Sequence, residues 1–432
     1  MVAFGLAAMM AGCVHTPPVP DMSAAITSPM LDGKGPQETQ VPFTLDNNRV
    51  FVEITFLKPD GTERKALASV NMGQAPMYIS NALYRELVVD QSRSLRFRIG
   101  ETEIGVNGTG VQPEGMLQNF SVNFDSSTPT PTQMAETPGG LIEAIFWPMK
   151  VEAIIPAGVL EHFEVVWDYG ARTLTLAAPG SLKPQGVAVP VRVNPKTGFV
   201  SLDVRFDGTE HPFVIDDGGS YTGFRDAKAW RIAHPEWLRV IGGIGAANFS
   251  LGGADAALPV MGIPKASFGP LELDAFDGED MVLPSISSSR LLTNLFWDWY
   301  SQKAGEQTSG WIGGNVLKNF RLTINCENRM SYWLAEQPLD IQDLDQVGIV
   351  LRVRLANTGV VTIGGIARKY GADTVSSVEI GDRLIMIGDL DASTATPGQL
   401  SAALGGKPGD VRHLVLERKG KRLEVDATVT RF

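Results

Sequence analysis

The sequence has few of the residues that build metal-bound or basic folds. It contains 2 cysteines and 5 scattered histidines in 432 residues, too few soft ligands for a structural zinc site. Positive charge is also short. The 37 Lys and Arg against 48 Asp and Glu leave a net charge of −11, which argues against a nucleic-acid binder. No apolar run reaches the roughly 20 residues that span a bilayer as a helix. What is present is a globular composition, 44% hydrophobic and 20% charged, which excludes disorder, collagen and coiled coil. The 46 Gly and 27 Pro imply many turns and therefore much β structure. The length suffices for two or three domains, each with its own core.

At the N-terminus a short apolar stretch, Val2 to Gly12, ends in Met10-Ala11-Gly12-Cys13. It is too short for a membrane helix and fits the apolar region of an export signal. Small residues before a cysteine resemble the lipobox of bacterial lipoproteins. That resemblance implies that Cys13 carries lipid and that the protein sits in the bacterial cell envelope, facing the periplasm and anchored to the membrane by lipid alone. Residues 14–40 are rich in Pro, Ser and Thr and read as a flexible linker. With Cys13 lipidated, Cys326 has no intramolecular disulfide partner and reads as a small buried hydrophobe.

The most informative feature is an internal duplication of about 150 residues. Val52-Glu53-Ile54-Thr55-Phe56, Asp60-Gly61-Thr62-Glu63 and Ala68-Ser69-Val70-Asn71-Met72-Gly73 form the first copy. Leu202-Asp203-Val204-Arg205-Phe206, Asp207-Gly208-Thr209-Glu210 and Phe213-Val214-Ile215-Asp216-Asp217-Gly218 form the second. Each copy opens with period-2 alternation, turns at Asp-Gly and returns on an apolar strand that ends in a glycine turn. Both copies also close alike, with Leu160 and Phe163 matching Leu317 and Phe320 in one apolar helical turn before a terminal hairpin. Two all-β units of this kind can pair about a pseudo-twofold axis, which would bring the turns at Asn71 and Asp216 face to face. Taken singly, both residues remain ordinary turn formers.

The pattern resembles the pepsin and retropepsin superfamily of aspartic peptidases. Phe213-Val214-Ile215-Asp216-Asp217-Gly218, followed by Trp311-Ile312-Gly313, fits that family's two motifs. The resemblance implies a mainly β protein with two barrel-like lobes, residues 41–180 and 186–337, and a peptide cleft between them. It implies catalysis by two facing carboxylates that share one proton, with no cofactor and no metal. Asp216 would be one of them. The facing residue is Asn71, an amide that cannot act as a general base. Gly73 and Gly218 keep the turns tight and admit the substrate backbone. The family's bracing Thr or Ser is replaced by Met72 and Asp217. The Gly-rich segments Gly105 to Gly115 and Gly242 to Gly262 are candidates either for cleft-covering hairpins or for plain surface loops.

Residues 343–432 resemble a PDZ domain of the bacterial exported type. Gln346-Val347-Gly348-Ile349-Val350-Leu351 matches the carboxylate-binding loop and the strand after it, and Ile380 to Gly388 matches the core segment. Thr396-Pro397 opens a helix carrying Leu400 and Leu404, and Gly405-Gly406 closes it. Such a module binds peptide by β-augmentation. The ligand would add as a strand beside Ile349 to Leu351, and N–H groups of the Val347–Ile349 loop would hold its terminal carboxylate. Leu400 and Leu404 would either line the side-chain pocket or pack on the core. Two functions follow: peptide hydrolysis through Asp216, or peptide binding by an inactive relative, the partner being peptide or unfolded envelope protein. A purely architectural role, with both grooves empty, is a third.

Overall fold

The computed structural model describes residues 38–90, 92–114, 142, 145–225, 227–241, 245–246, 259–263, 266–273, 281–284, 290–335, 345–353, 359–369 and 371–432. Cys13 and the lipobox-like stretch lie outside them. The protein is mainly β, and its sheets follow the sequence duplication.

In the first half, the strands Arg49–Leu57 and Glu63–Asn71 form an antiparallel hairpin, with Phe51 opposite Ser69 and Leu57 opposite Glu63. In the second half, Val200–Phe206 and Thr209–Ile215 do the same, with Ser201 opposite Val214 and Phe206 opposite Thr209. The second hairpin turns on two residues of positive φ, Asp207 at 51° and Gly208 at 73°, a turn whose twist matches that of its strands. In each half the second hairpin strand is then joined in parallel by a late strand. Val151–Pro156 joins the first and Gly310–Ile312 the second. Each late strand runs into a four-residue helix, Ala157–Leu160 or Gly314–Leu317. Leu160, Phe163, Leu317 and Phe320 are all buried there, each stabilising the fold by roughly 1.5–3 kcal/mol.

The two halves share one six-stranded sheet. At its centre Glu164–Asp168 pairs antiparallel with Phe320–Asn325, Val166 opposite Thr323. Outward from the centre come Thr173–Ala177 and Glu38–Pro42 on one side, and Met330–Ala335 and Val187–Pro190 on the other. Each outermost strand is therefore the opening strand of its own half. Residues Glu38 to Gln40 belong to this sheet rather than to the expected linker, because their edge is paired with Thr175 to Ala177. One continuous apolar core runs through both halves and includes Trp167, Trp297 and Trp333.

The C-terminal domain has its own core around Val347, Ile349, Leu384, Leu414 and Leu416. Its sheet holds the strands Ile349–Val353, Val361–Ile366, Arg383–Ile387, Val411–Arg418, Lys421–Arg431 and Asp345–Val347. The helix Pro397–Leu404 starts with Thr396 as N-cap in a capping box with Gln399 and stops at Gly405, as its sequence implies. In the Gly-rich segment that begins at Gly105, the strand Thr102–Asn107 is followed by a 3-10 turn, Gly108–Gly110, and a short strand, Val111–Pro113. Most of the other Gly-rich segment, Gly242 to Gly262, lies outside the described residues; the strand Leu238–Ile241 just before it pairs antiparallel with Pro259–Ile263 at its end.

Candidate active site at the seam of the two lobes

The strands Glu63–Asn71 and Thr209–Ile215 deliver two equivalent turns to the seam. In each, an apolar run anchors the strand against its parallel partner: Val70 is opposite Ile155, and Ile215 is opposite Ile312. In each, the side chain at the turn accepts from the N–H two residues on: Gly73 N to Asn71 Oδ1 at 2.8 Å, and Gly218 N to Asp216 Oδ1 at 3.1 Å. In each, the backbone closes three residues on, Gln74 N to Asn71 O at 3.3 Å and Gly219 N to Asp216 O at 3.2 Å.

The turns lie against each other. A Cβ placed on Gly73 would overlap the carboxyl group of Asp216, and a Cβ on Gly218 would overlap the amide of Asn71. Each glycine thus leaves the space that the other lobe's side chain fills. Asn71, Gly73, Asp216 and Gly218 are brought together, as the duplication implies.

Asp216 is the more strongly held of the pair. Its Oδ1 also accepts from Gly219 N at 3.1 Å, and its Oδ2 accepts from the Tyr300 hydroxyl at 2.9 Å. Burial raises its pKa above the usual carboxylate range, while the Tyr300 hydroxyl and the N–H groups of Gly218, Gly219 and Gly73 pull it down. Tyr300 sits on the helix Arg290–Ala304, buried among Phe199, Trp297 and Trp311. Burial pushes its own phenol well above the ordinary value, with the Asp216 charge adding to the effect. The facing pair is therefore one group able to exchange a proton and one amide able to donate or accept hydrogen bonds but not to take a proton from water.

Asp217 reaches across the seam. Its Oδ1 accepts from the backbone N–H of Met72 in the opposite lobe at 2.6 Å, and its Oδ2 accepts from Trp167 Nε1 at 3.1 Å. Burial, with the neighbouring Asp216 charge adding to it, pushes its carboxyl up to about 7 against the opposing pull of the Met72 and Trp167 N–H groups. The brace runs one way, because Met72 has no oxygen to return. A second cross-lobe bond, Asn47 Nδ2 to Ser220 Oγ at 3.1 Å, lies nearby. Neither Tyr300 nor the reach of Asp217 was visible in the sequence. The placement of Asp217 where the brace belongs was the available signal, whereas Tyr300 stands 84 residues from its partner in a helix without a motif.

The other residues expected to bind peptide lie in the C-terminal domain. Val347 ends one strand and Ile349, Val350 and Leu351 open the next, with Gly348 as the bend between them, all buried. The expected free edge beside Ile349 to Leu351 is not free: Val350 and Leu351 pair in parallel with Gly245 and Ala246 of the second lobe. Leu400 and Leu404 pack in the domain core with Val347, Ile349 and Leu351. The carbonyl of Gly348, the middle residue of the expected carboxylate loop, accepts from Ala367 N at 2.8 Å and the Thr374 hydroxyl at 3.3 Å.

No protein-family model matches the chain, and no curated protein matches it. Among solved structures, the aspartic proteinase from Irpex lacteus is similar at 12% sequence identity and a TM-score of 0.36, over 69% of this chain and 97% of that one.

Proposed function

We propose that the protein is an aspartic-peptidase-like, peptide-binding protein of the bacterial envelope whose inter-lobe cleft holds extended polypeptide and hydrolyses it slowly or not at all. The observation that carries this reading is the pairing of one acid with one amide at the seam, each seated on the other lobe's glycine. In the two-carboxylate mechanism one partner takes a proton from the attacking water while the other donates to the peptide carbonyl oxygen. Asp216 has the donors and burial suited to either role. Asn71 can supply only a hydrogen bond, so no proton is stored on its side of the seam. In this reading the lipobox-like Cys13 tethers the cleft to the membrane, and unfolded envelope polypeptide is the partner.

The test compares wild type, Asn71→Asp and Asn71→Asp/Asp216→Ala on a reduced, alkylated unfolded protein from about pH 3 to 7. Installing the second carboxylate is expected to raise cleavage by about 10²–10⁴-fold, the usual worth of one positioned acid–base group. The added Asp216→Ala change should return it to the wild-type level. A folded Asn71→Asp protein that cleaves no faster than wild type would defeat the reading.

A further inference from the structure

The two lobes differ in the length of one connection. In the first, residues 87–93 lead from the helix Asn81–Glu86 to the strand Ser94–Ile99, which pairs with the lobe's hairpin. In the second, residues 234–266 separate the corresponding helix Ala227–Ala233 from the strand Ser267–Phe268, which pairs with its hairpin in the same way. The longer connection supplies the strands Leu238–Ile241, Gly245–Ala246 and Pro259–Ile263. It is also the part of the lobe that engages the C-terminal domain's sheets. Ile241 pairs with Arg368, and Val240 and Val260 pack with Ala367 and Phe432. Gly245 and Ala246 then pair with Val350 and Leu351, lying alongside the helix Pro397–Leu404.

We infer that Gly245–Ala246 is a built-in ligand of the C-terminal domain, occupying the sheet edge at which an extended peptide would add, so that an outside peptide binds there only by displacing it. The inference rests on reading that domain as a peptide-binding module.

An exposed strand edge presents unpaired N–H and C=O groups that a partner strand satisfies. Here the partner comes from the same chain. Gly245 has no side chain, which suits a backbone passing close to both a strand and a helix. The internal strand is a weak occupant. It covers two positions of the five-residue strand Ile349–Val353, and its hold comes from being tethered rather than from a long ladder. It runs parallel and as an internal segment, so it offers no terminal carboxylate to the Val347–Ile349 turn. A peptide pairing with the whole strand and ending in a free carboxylate would make contacts that the internal strand does not.

The test uses the full chain and the Gly245→Pro/Ala246→Pro variant, which lacks both N–H groups. Hydrogen exchange reads occupancy without any ligand. Those amides of residues 349–353 that point away from Val361–Ile366, toward Gly245–Ala246, are expected to exchange at least tenfold faster in the variant, while those of Val411–Arg418 stay unchanged. A fluorescein-labelled ten-residue peptide with an aliphatic, free C-terminus should bind the variant at least tenfold tighter than wild type and restore the protection. Unchanged protection at 349–353, or equal affinity for the two proteins including no binding by either, would overturn the inference. Ala246→Pro alone serves if the double variant does not fold, with the same two readouts. The cleft reading is judged separately, by cleavage in the Asn71→Asp protein.

Discussion

At the residue scale the seam is governed by how few charges it can hold. Asp217 is buried, and its carboxyl is pushed up to about 7 from an ordinary value of 3.8, mainly by burial. The sign follows directly. The folded state binds this proton more tightly than the unfolded state, so the contribution to stability is fully present below about pH 4 and is lost as pH rises through 7. The full span corresponds to at most about 4 kcal/mol. Glu161, also raised to about 7 by burial, acts in the same direction, so wild type alone does not isolate the effect. The Asp217→Asn variant does. Its amide oxygen can still accept from Met72 N, but it cannot ionise. The difference in urea-unfolding stability between wild type and variant should shift in the variant's favour, by more than 1 kcal/mol, from pH 5 to pH 8. A difference that is flat across that range would mean Asp217 ionises as freely in the folded protein as in the unfolded chain. Asp216, Asn71, Gly73 and Gly218 were legible in the sequence because a short local motif recurs in two places. Tyr300, which donates to Asp216, and Trp167, which donates to Asp217, were not, because both reach the site only through tertiary packing.

At the element scale the lobes lock by exchanging hairpin tips. The Asn47–Asn48 turn of the first lobe seats its Asn48 carbonyl where a Cβ on Gly314 would lie, at the start of the helix Gly314–Leu317. The Thr197–Gly198 turn of the second lobe meets the start of the helix Ala157–Leu160, where a Cβ on Gly198 would stand 2.6 Å from the Ala157 carbonyl and 2.8 Å from Gly158 Cα. Gly198 has φ of 74°. Gly208 has nearly the same φ, 73°, but open space around its missing Cβ. The pair separates backbone strain from docking. Gly208→Ala should cost about 1–2 kcal/mol, the price of a left-handed alanine. Gly198→Ala should cost a further 1–3 kcal/mol by overpacking the lobe contact. Equal losses in urea-unfolding stability would remove this contact from the forces that hold the lobes together. The hairpins themselves were readable from alternation and Asp-Gly turns. Their reciprocal seating was not, since no local pattern states which helix start a tip will meet.

At the scale of the whole molecule the C-terminal domain is fixed to both lobes, and one carboxylate takes part in the first-lobe attachment. Asp46 accepts from the Thr396 hydroxyl and, through Oδ2, from Gly398 N at 3.1 Å, at the N-terminus of the helix Pro397–Leu404. A negative group is favoured there by the free N–H groups and the helix dipole. Trp147 adds a bond from Nε1 to the Ser393 carbonyl at 3.3 Å. The domain's strands and capped helix were legible from sequence, but this docking joins residues 350 apart. Asp46 has a second role that complicates a simple deletion. Its charge favours the cationic form of the buried Arg49, whose pKa burial lowers to about 10 and whose guanidinium lies 4.9 Å from the Phe146 ring. Removing Asp46 alone would leave that cation with less support, a loss unrelated to the domain contact. The informative comparison is therefore Asp46→Ala in an Arg49→Met background, where the charge is gone. If Asp46 anchors the domain, the double variant should lose about 0.5–2 kcal/mol relative to Arg49→Met, as for a lost helix cap. Amide exchange at residues 396–400 should rise with it. If exchange there is unchanged and the stabilities of the two proteins coincide, Asp46 serves Arg49 alone, and the domain is held by its second-lobe contacts and Trp147.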